Sequence, residues 1–188
     1  MTDLVLAMTT SLDGYATGPD ISVEDAMGVG GEALHEWIFG DDATDKRVAK
    51  GLSAGIGACI IGRTMHDLGV PHWQDVPYPL PTVVLTHEEL PDREMKSDSF
   101  TYVSGIPAAV KRAKELAGDK DVLVMGGSNI AQQFINAGLI DEIRLSIAHI
   151  ILGEGVRLFD QLAVAPGLKT VSSESSALAT HLVLRTTP

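Results

Sequence analysis

Val122-Leu123-Val124-Met125-Gly126-Gly127-Ser128 is the stretch that decides how this chain folds. Four apolar residues in a row predict a short strand buried on both faces. Gly126-Gly127 breaks that run. Ser128 then opens a helix with Ile130, Phe134 and Ile135 on one face and Gly138 as its terminator. A strand that passes through glycines directly into a helix is the repeating unit of a parallel sheet.

The same pattern recurs on both sides. Leu4–Met8 reads as a first buried strand, Ala58–Ile61 as a second and Thr82–Leu85 as a third. Phe100–Val103 follows as a fourth. Ile106–Ala117 has helical spacing of Ile106, Ala109, Val110, Ala113, Leu116 and Ala117, with Pro107 in the first turn and Gly118 after the last. Glu32–Phe39 predicts a short helix stopped by Gly40. Asp13–Gly31 carries five glycines and little periodicity, as expected of a functional lid. Pro71, Pro77, Pro79 and Pro81 predict loop over 69–81. Ile143–Leu152 predicts a long strand. Lys169–Ser172 and Leu178–Arg185 predict two late strands around a serine-rich turn, the last alternating as a half-buried edge does. The expectation is an α/β fold over 1–188 as one domain. Its sheet is mixed and mostly parallel, with helices on both faces and an antiparallel C-terminal edge.

The 188 residues carry 14 Lys plus Arg against 25 Asp plus Glu, a formal charge of −11. Such a field repels nucleic acid and anionic membrane, so any anionic ligand needs a local basic site. Cys59 alone excludes an internal disulfide and fits a reducing cytoplasm. Neither a basic leader nor a long apolar run predicts secretion or a membrane span. No metal is expected. His35-Glu36 has Phe39 where a zinc-binding HExxH needs histidine, and His87-Glu88 runs into Pro91.

Parallel sheets bind ligands beyond the carboxyl ends of their strands, where the glycines cluster here. Gly126, Gly127 and Ser128 let a phosphate approach backbone at a helix N-terminus, and they suit a plain tight turn equally well. Gly62-Arg63-Thr64 repeats the arrangement with a guanidinium fork and a hydroxyl, and taken alone reads more readily as a helix cap beside a surface arginine. Two phosphate-competent strand ends fit a pyrophosphate and a ribose 2′-phosphate, which points to NADPH rather than NADH. Asp13, in Ser11-Leu12-Asp13-Gly14, offers a carboxylate to orient a substrate or move its proton, or simply makes an Asp-Gly turn. Trp37 and Trp73 suit the walls of a flat-ring pocket. Trp37 suits the core as well. Gly153-Glu154-Gly155 reads as a turn and His149 as a core histidine.

Several segments together resemble the dihydrofolate reductase-like family that includes the reductase domain of the bifunctional riboflavin-biosynthesis deaminase/reductase, above all its small stand-alone bacterial members. They are Ser11-Leu12-Asp13-Gly14-Tyr15, Ile61-Gly62-Arg63-Thr64-Met65, Val84-Leu85-Thr86-His87, Gly126-Gly127-Ser128-Asn129-Ile130, Ala137-Gly138-Leu139-Ile140-Asp141-Glu142, and Leu152-Gly153-Glu154-Gly155-Val156-Arg157-Leu158-Phe159. The resemblance implies a homodimer that binds NADPH and reduces a small heterocycle, of pyrimidine or pterin type. It implies that Gly62, Arg63 and Thr64 hold the 2′-phosphate, Thr86 lies near the adenine, and Gly126, Gly127 and Ser128 hold the pyrophosphate. Asp13 matches the aspartate on the substrate side of the nicotinamide, and the glycine-rich stretch after it matches the flap. His149 stands where many members have proline. No acid in 32–39 matches the pterin-binding carboxylate of true dihydrofolate reductases; Glu32 and Glu36 are only nearby. Two alternatives follow: a non-catalytic NADP(H)-binding homodimer acting as sensor or structural protein, and a true dihydrofolate reductase.

Overall fold

A computed structural model describes residues 2–73, 80–94, 99–163 and 165–187. Its central sheet has nine strands. They are β1 (Leu4–Ser11), β3 (Ile56–Gly62), β4 (Thr82–Leu85), β5 (Arg93–Glu94), β6 (Ser99–Val103), β7 (Asp121–Gly126), β8 (Glu142–Ala148), β10 (Gly167–Ser175) and β11 (Ala179–Thr187). Their order is β10-β11-β8-β1-β7-β3-β4-β6-β5. The six strands from β8 to β6 are mutually parallel. β11 and β10 add antiparallel at one side and β5 at the other. A small separate sheet pairs β2 (Tyr15–Thr17) with β9 (Val156–Arg157).

Alternate residues of the parallel strands explain the two-sided burial. Leu4, Leu6, Ala58, Ile60, Val83, Val122 and Val124 face the helices α4 (Ile106–Ala117) and α5 (Ser128–Asn136), through Ala109, Ala113 and Phe134. Ile61, Val84 and Phe100 pack instead with Met65, Val70 and Trp73 of α3 (Arg63–Trp73). Continuous apolar runs are what a sheet covered on both faces requires.

Four expectations need correction. Residues 69–73 are not loop: α3 runs to Trp73 with Pro71 inside it. So near the helix end, the missing proline N–H removes little of the ladder. Gly69 has a packing reason, since a Cβ there would lie 2.0 Å from the Trp73 indole. The remainder of that stretch, 74–79, lies outside the described residues. The long strand over 143–152 ends at Ala148: the His149 amide donates to Leu178 O, the Ile150 amide turns back to Ala148 O, and Asp13 accepts from Leu152 and Gly153 beyond them. The half-buried edge is not β11, which lies between β8 and β10; β10 is the edge. His149 is an exposed residue rather than a core one. Its ring binds Ala177 O (3.1 Å) and Thr180 Oγ1 (3.0 Å).

The chain from 31 to 51 is more helical than its sequence suggests. A 3₁₀ turn over Gly31–His35 leads into α1 (Glu36–Phe39), and α2 (Ala43–Gly51) follows. The Asp42 carboxylate caps α2 by accepting from the amides of Thr44 (2.7 Å) and Asp45 (3.3 Å).

Candidate active site

Beyond the carboxyl ends of β1, β3, β4 and β7 lies one cavity of about 830 Å³, in the range of ligand-binding clefts. Gly62, Arg63, Thr64, Thr86, Gly127 and Ser128 all line it, as do Trp37 and Trp73. The fold therefore brings together three turns that are far apart in sequence. Gly105 and Ile106, at the start of α4, add a fourth.

The glycines differ in what they do. A Cβ on Gly62 would lie 2.6 Å from Ile130 Cγ1, so this glycine lets α5 sit against the end of β3. Gly126 has φ +107°, and a Cβ there would lie 2.9 Å from Met8 Sδ. Gly127 has nothing within 4 Å of its Cβ position. It is the N-cap of α5, with no side chain capping that end. Bare backbone at a helix N-terminus, with open space in front of it, fits a phosphate group.

Arg63 is held by carboxylates. Its Nε lies 2.7 Å from both oxygens of Asp67, and its Nη1 lies 2.8 Å from Glu88 Oε2. These bonds push the guanidinium further up in pKa. Burial raises the Asp67 carboxyl, but the bonds from Arg63 and His66 and the charges of both together hold it below the usual carboxylate range. His66 extends the network, its Nδ1 at 2.8 Å from Asp67 Oδ1 and its Nε2 at 2.9 Å from the Tyr102 hydroxyl. The Glu88 amide donates to Thr86 Oγ1 (3.1 Å), which fixes that turn.

Asp13 is not among the cavity-lining residues. Its Oδ1 accepts from the Ser11 hydroxyl (2.6 Å) and the Leu152 amide (3.1 Å), and its Oδ2 from the Gly153 amide (2.8 Å). The Ser11 bond foremost, with the two amides, lowers its pKa to about 2. The carboxylate thus ties the turn after β1 to the loop before β9. Arg157 reinforces this, donating to Asp13 O (2.9 Å) with its guanidinium 4.4 Å above the Tyr15 ring. The glycine-rich flap has bonds of its own, Gly18 N to Met27 O (2.8 Å) and Val29 N to Pro19 O (2.9 Å), and lines the cavity with Ile21, Ala26 and Met27.

Other cavity residues carry no sequence signal. His35 lines it and is shifted down in pKa by burial. Ser146 lines it too, bonded to His181, which is bonded to Asp45. His181 and Asp45 are 136 positions apart, so no local motif could have paired them. Among the described residues, no three His, Cys, Asp or Glu side chains are placed to hold a metal, and no helix is long and apolar enough to cross a membrane.

A mostly parallel sheet with ligand-competent turns at its carboxyl ends defines the class as dihydrofolate reductase-like α/β. Within it, the chain belongs to the family described as the RibD C-terminal domain, whose model matches residues 2–182. Uncharacterized protein YyaP of Bacillus subtilis (strain 168) is 41% identical over 82 residues, 44% of this chain and 43% of that protein. The match thus covers under half the length of that curated relative. Among solved structures, a Shewanella sp. PV-4 protein with a proposed role in riboflavin biosynthesis matches with TM-score 0.77 and 22% identity over 100% of both chains. The dihydrofolate reductase of Enterococcus faecalis, solved with NADP(H), matches with TM-score 0.65 and 12% identity over 99% of this chain and 97% of that one. The Thermotoga maritima diaminohydroxyphosphoribosylaminopyrimidine deaminase/5-amino-6-(5-phosphoribosylamino)uracil reductase matches with TM-score 0.66 and 16% identity, over 99% of this chain and 57% of that one. At these identities the structures share the fold.

Proposed function

We propose that this protein is an NADPH-dependent reductase of a small heterocycle of pyrimidine or pterin type, such as the 5-amino-6-(5-phosphoribosylamino)uracil type of riboflavin biosynthesis. The observation that carries it is the convergence of Gly62–Thr64, Thr86, Gly127 and Ser128 on one cavity, with Gly126 just behind that lining, in a chain of the RibD C-terminal domain family. The α5 N-terminus, with the open approach at Gly127, takes the pyrophosphate. Arg63 and Thr64 take the 2′-phosphate, Arg63 exchanging Glu88 or Asp67 for it, and Thr86 borders the adenine side. The bound nicotinamide supplies a hydride, and the protein supplies position and electrostatics. Trp37 and Trp73 wall the space for a flat ring. Asp13 shapes the rim by fixing the 152–153 loop, and a substrate contact by it requires that loop to release the carboxylate.

A soluble homodimer completes the reading. β8 is flanked by β1 and β11, so pairing through that strand is closed to a second copy. Leu12 (65% exposed), whose amide donates to Ile150 O, and Ile151 (73%) offer apolar contacts instead. Light scattering of wild type against Ile151→Asp tests this; an unchanged mass in the variant counts against it.

The primary test is a thermal-shift titration with NADPH and NADH. Binding stabilises by about 2.7 kcal/mol at a hundredfold excess over Kd. A shift with NADPH and little with NADH supports the reading. A shift with neither overturns it. Binding without oxidation of NADPH by any pterin, pyrimidine or dihydrofolate favours the non-catalytic sensor.

A further inference from the structure

Ser146 and Trp37 line the cavity but belong to none of the turns that hold the dinucleotide in the reading above. Ser146 Oγ lies 2.8 Å from His181 Nδ1, and His181 Nε2 lies 2.8 Å from Asp45 Oδ1. Their exposures are 5%, 5% and 0%. Trp37 sets its ring edge-on to the imidazole, with centroids 4.7 Å apart. Asp45 Oδ2 and Trp37 Nε1 are buried with no hydrogen-bond partner. A buried carboxylate–imidazole pair is a poor way to gain stability, since apolar residues of equal volume generally serve as well. An orphaned carboxylate oxygen in this chain of bonds, and an orphaned indole N–H on a cavity-lining residue, also ask for a functional account.

We propose that Asp45–His181–Ser146 is a proton relay, and that its outer end, the Ser146 hydroxyl, docks the ring nitrogen of the heterocycle being reduced. The proposal rests on the reductase reading. Hydride addition to the carbon of a C=N bond forms C–H, breaks the π bond and leaves its electron pair on nitrogen. That nitrogen takes the proton of Ser146 Oγ–H as Ser146 takes the proton from Nδ1 of the His181 imidazolium. His181 ends neutral, with Nε2–H still donated to Asp45. The reduced nicotinamide provides the hydride and is the only co-reactant besides a proton from solvent, which reloads His181. Ser146 is the catalytic residue of this set; His181 and Asp45 are positioning residues. The charged groups facing His181 are Asp45 from α2 and Glu174, its register partner on β10, itself held by Arg47. Ser146 pairs in the ladder with Thr9 on one side and His181 on the other. This mid-strand position suits a proton donor better than an acyl-transfer nucleophile, which needs an oxyanion hole beside it.

The test uses the full-length protein with ¹⁵N-labelled histidine and NADP⁺ bound, probed with 5,6-diaminouracil and 2-amino-4-oxopteridine. His181→Gln assigns the ring signals. Probe binding is expected to shift the His181 ring nitrogens in wild type and in Ser146→Thr, and to leave them in place in Ser146→Ala. Ser146→Ala is expected to bind the probe about tenfold more weakly, with unchanged NADP⁺ affinity. Asp45→Asn is expected to abolish the downfield Nε2–H signal. The relay is overturned if a probe binds without moving His181, if Ser146→Ala binds it as wild type does, or if neither probe binds while NADP⁺ does. Loss of dinucleotide binding in wild type is read separately and overturns the reductase reading on which the relay rests.

Discussion

Arg63 Nη1 lies 2.8 Å from Glu88 Oε2, so a guanidinium in position to meet a phosphate already holds a carboxylate from the neighbouring strand end. In the proposed complex a 2′-phosphate exchanges with Glu88 or Asp67 on this guanidinium. Glu88→Gln is therefore expected to tighten NADPH about two- to fivefold, the value range of an exposed ion pair, and to leave NADH unchanged. Arg63→Ala is expected to weaken NADPH about ten- to hundredfold and NADH far less. Parallel calorimetric titrations check both. Equal losses for the two nucleotides would make Arg63 structural.

Gly62 and Gly127 separate packing from binding. Gly62→Ala forces a Cβ against Ile130 and is expected to cost about 1–3 kcal/mol of stability. Gly127→Ala meets open space and is expected to unfold within about 0.5 kcal/mol of wild type. It should nevertheless lose about tenfold in dinucleotide affinity, because the methyl group stands where backbone meets phosphate. Urea denaturation and nucleotide titration of both variants decide the matter.

Asp13 makes a pH-dependent prediction. Its carboxyl drops from an ordinary 3.8 to about 2 on folding. A depressed folded pKa gives stability that is present above the unfolded value and lost as pH falls toward the folded one. Asp13→Ala is expected to be less stable than wild type at neutral pH. The gap should close between about pH 4 and pH 2. Denaturation across that range, with amide exchange at Leu152 and Gly153, checks it. A gap that persists at the acid end assigns the loss to packing.

Cys59 is 1% exposed, and burial pushes its thiol up to about 12. Near pH 8 only about one thiol in ten thousand is ionised. An aromatic disulfide reagent is expected to react only as fast as the sheet opens, and promptly in denaturant. Fast stoichiometric labelling of native protein would contradict this placement.

What the sequence disclosed depended on locality. Thr82–Leu85 and Ile106–Ala117 are strand and helix at the expected bounds, because buried runs and helical periodicity are read within a few residues. The strand-end turns were legible for the same reason. Helix α2 was not, since Asp45 is its buried residue and an apolar stripe never forms. Pro71 argued for loop, yet tertiary packing of Trp73 on Phe100, with ring centroids 6.2 Å apart, overrides it. Asp13 is bonded by Leu152 and Gly153 of a distant loop, and His181 by Ser146 of β8 and Asp45 of α2. Only the closed sheet puts them within bonding distance, so composition and spacing could name Asp13 but not its role.

The place of β1 also bears on how the chain is made. Leu4 pairs with Val122 and Val5 with Glu142, so β1 leaves the ribosome before both of the strands it lies between. At about 5–20 residues per second, the interval before its first neighbour emerges is on the order of ten seconds. Throughout that time Leu4, Val5 and Leu6 have neither ladder neighbour. A ribosome that pauses before Asp121 therefore displays an unpaired apolar strand, and nascent-chain chaperones have that strand to cover.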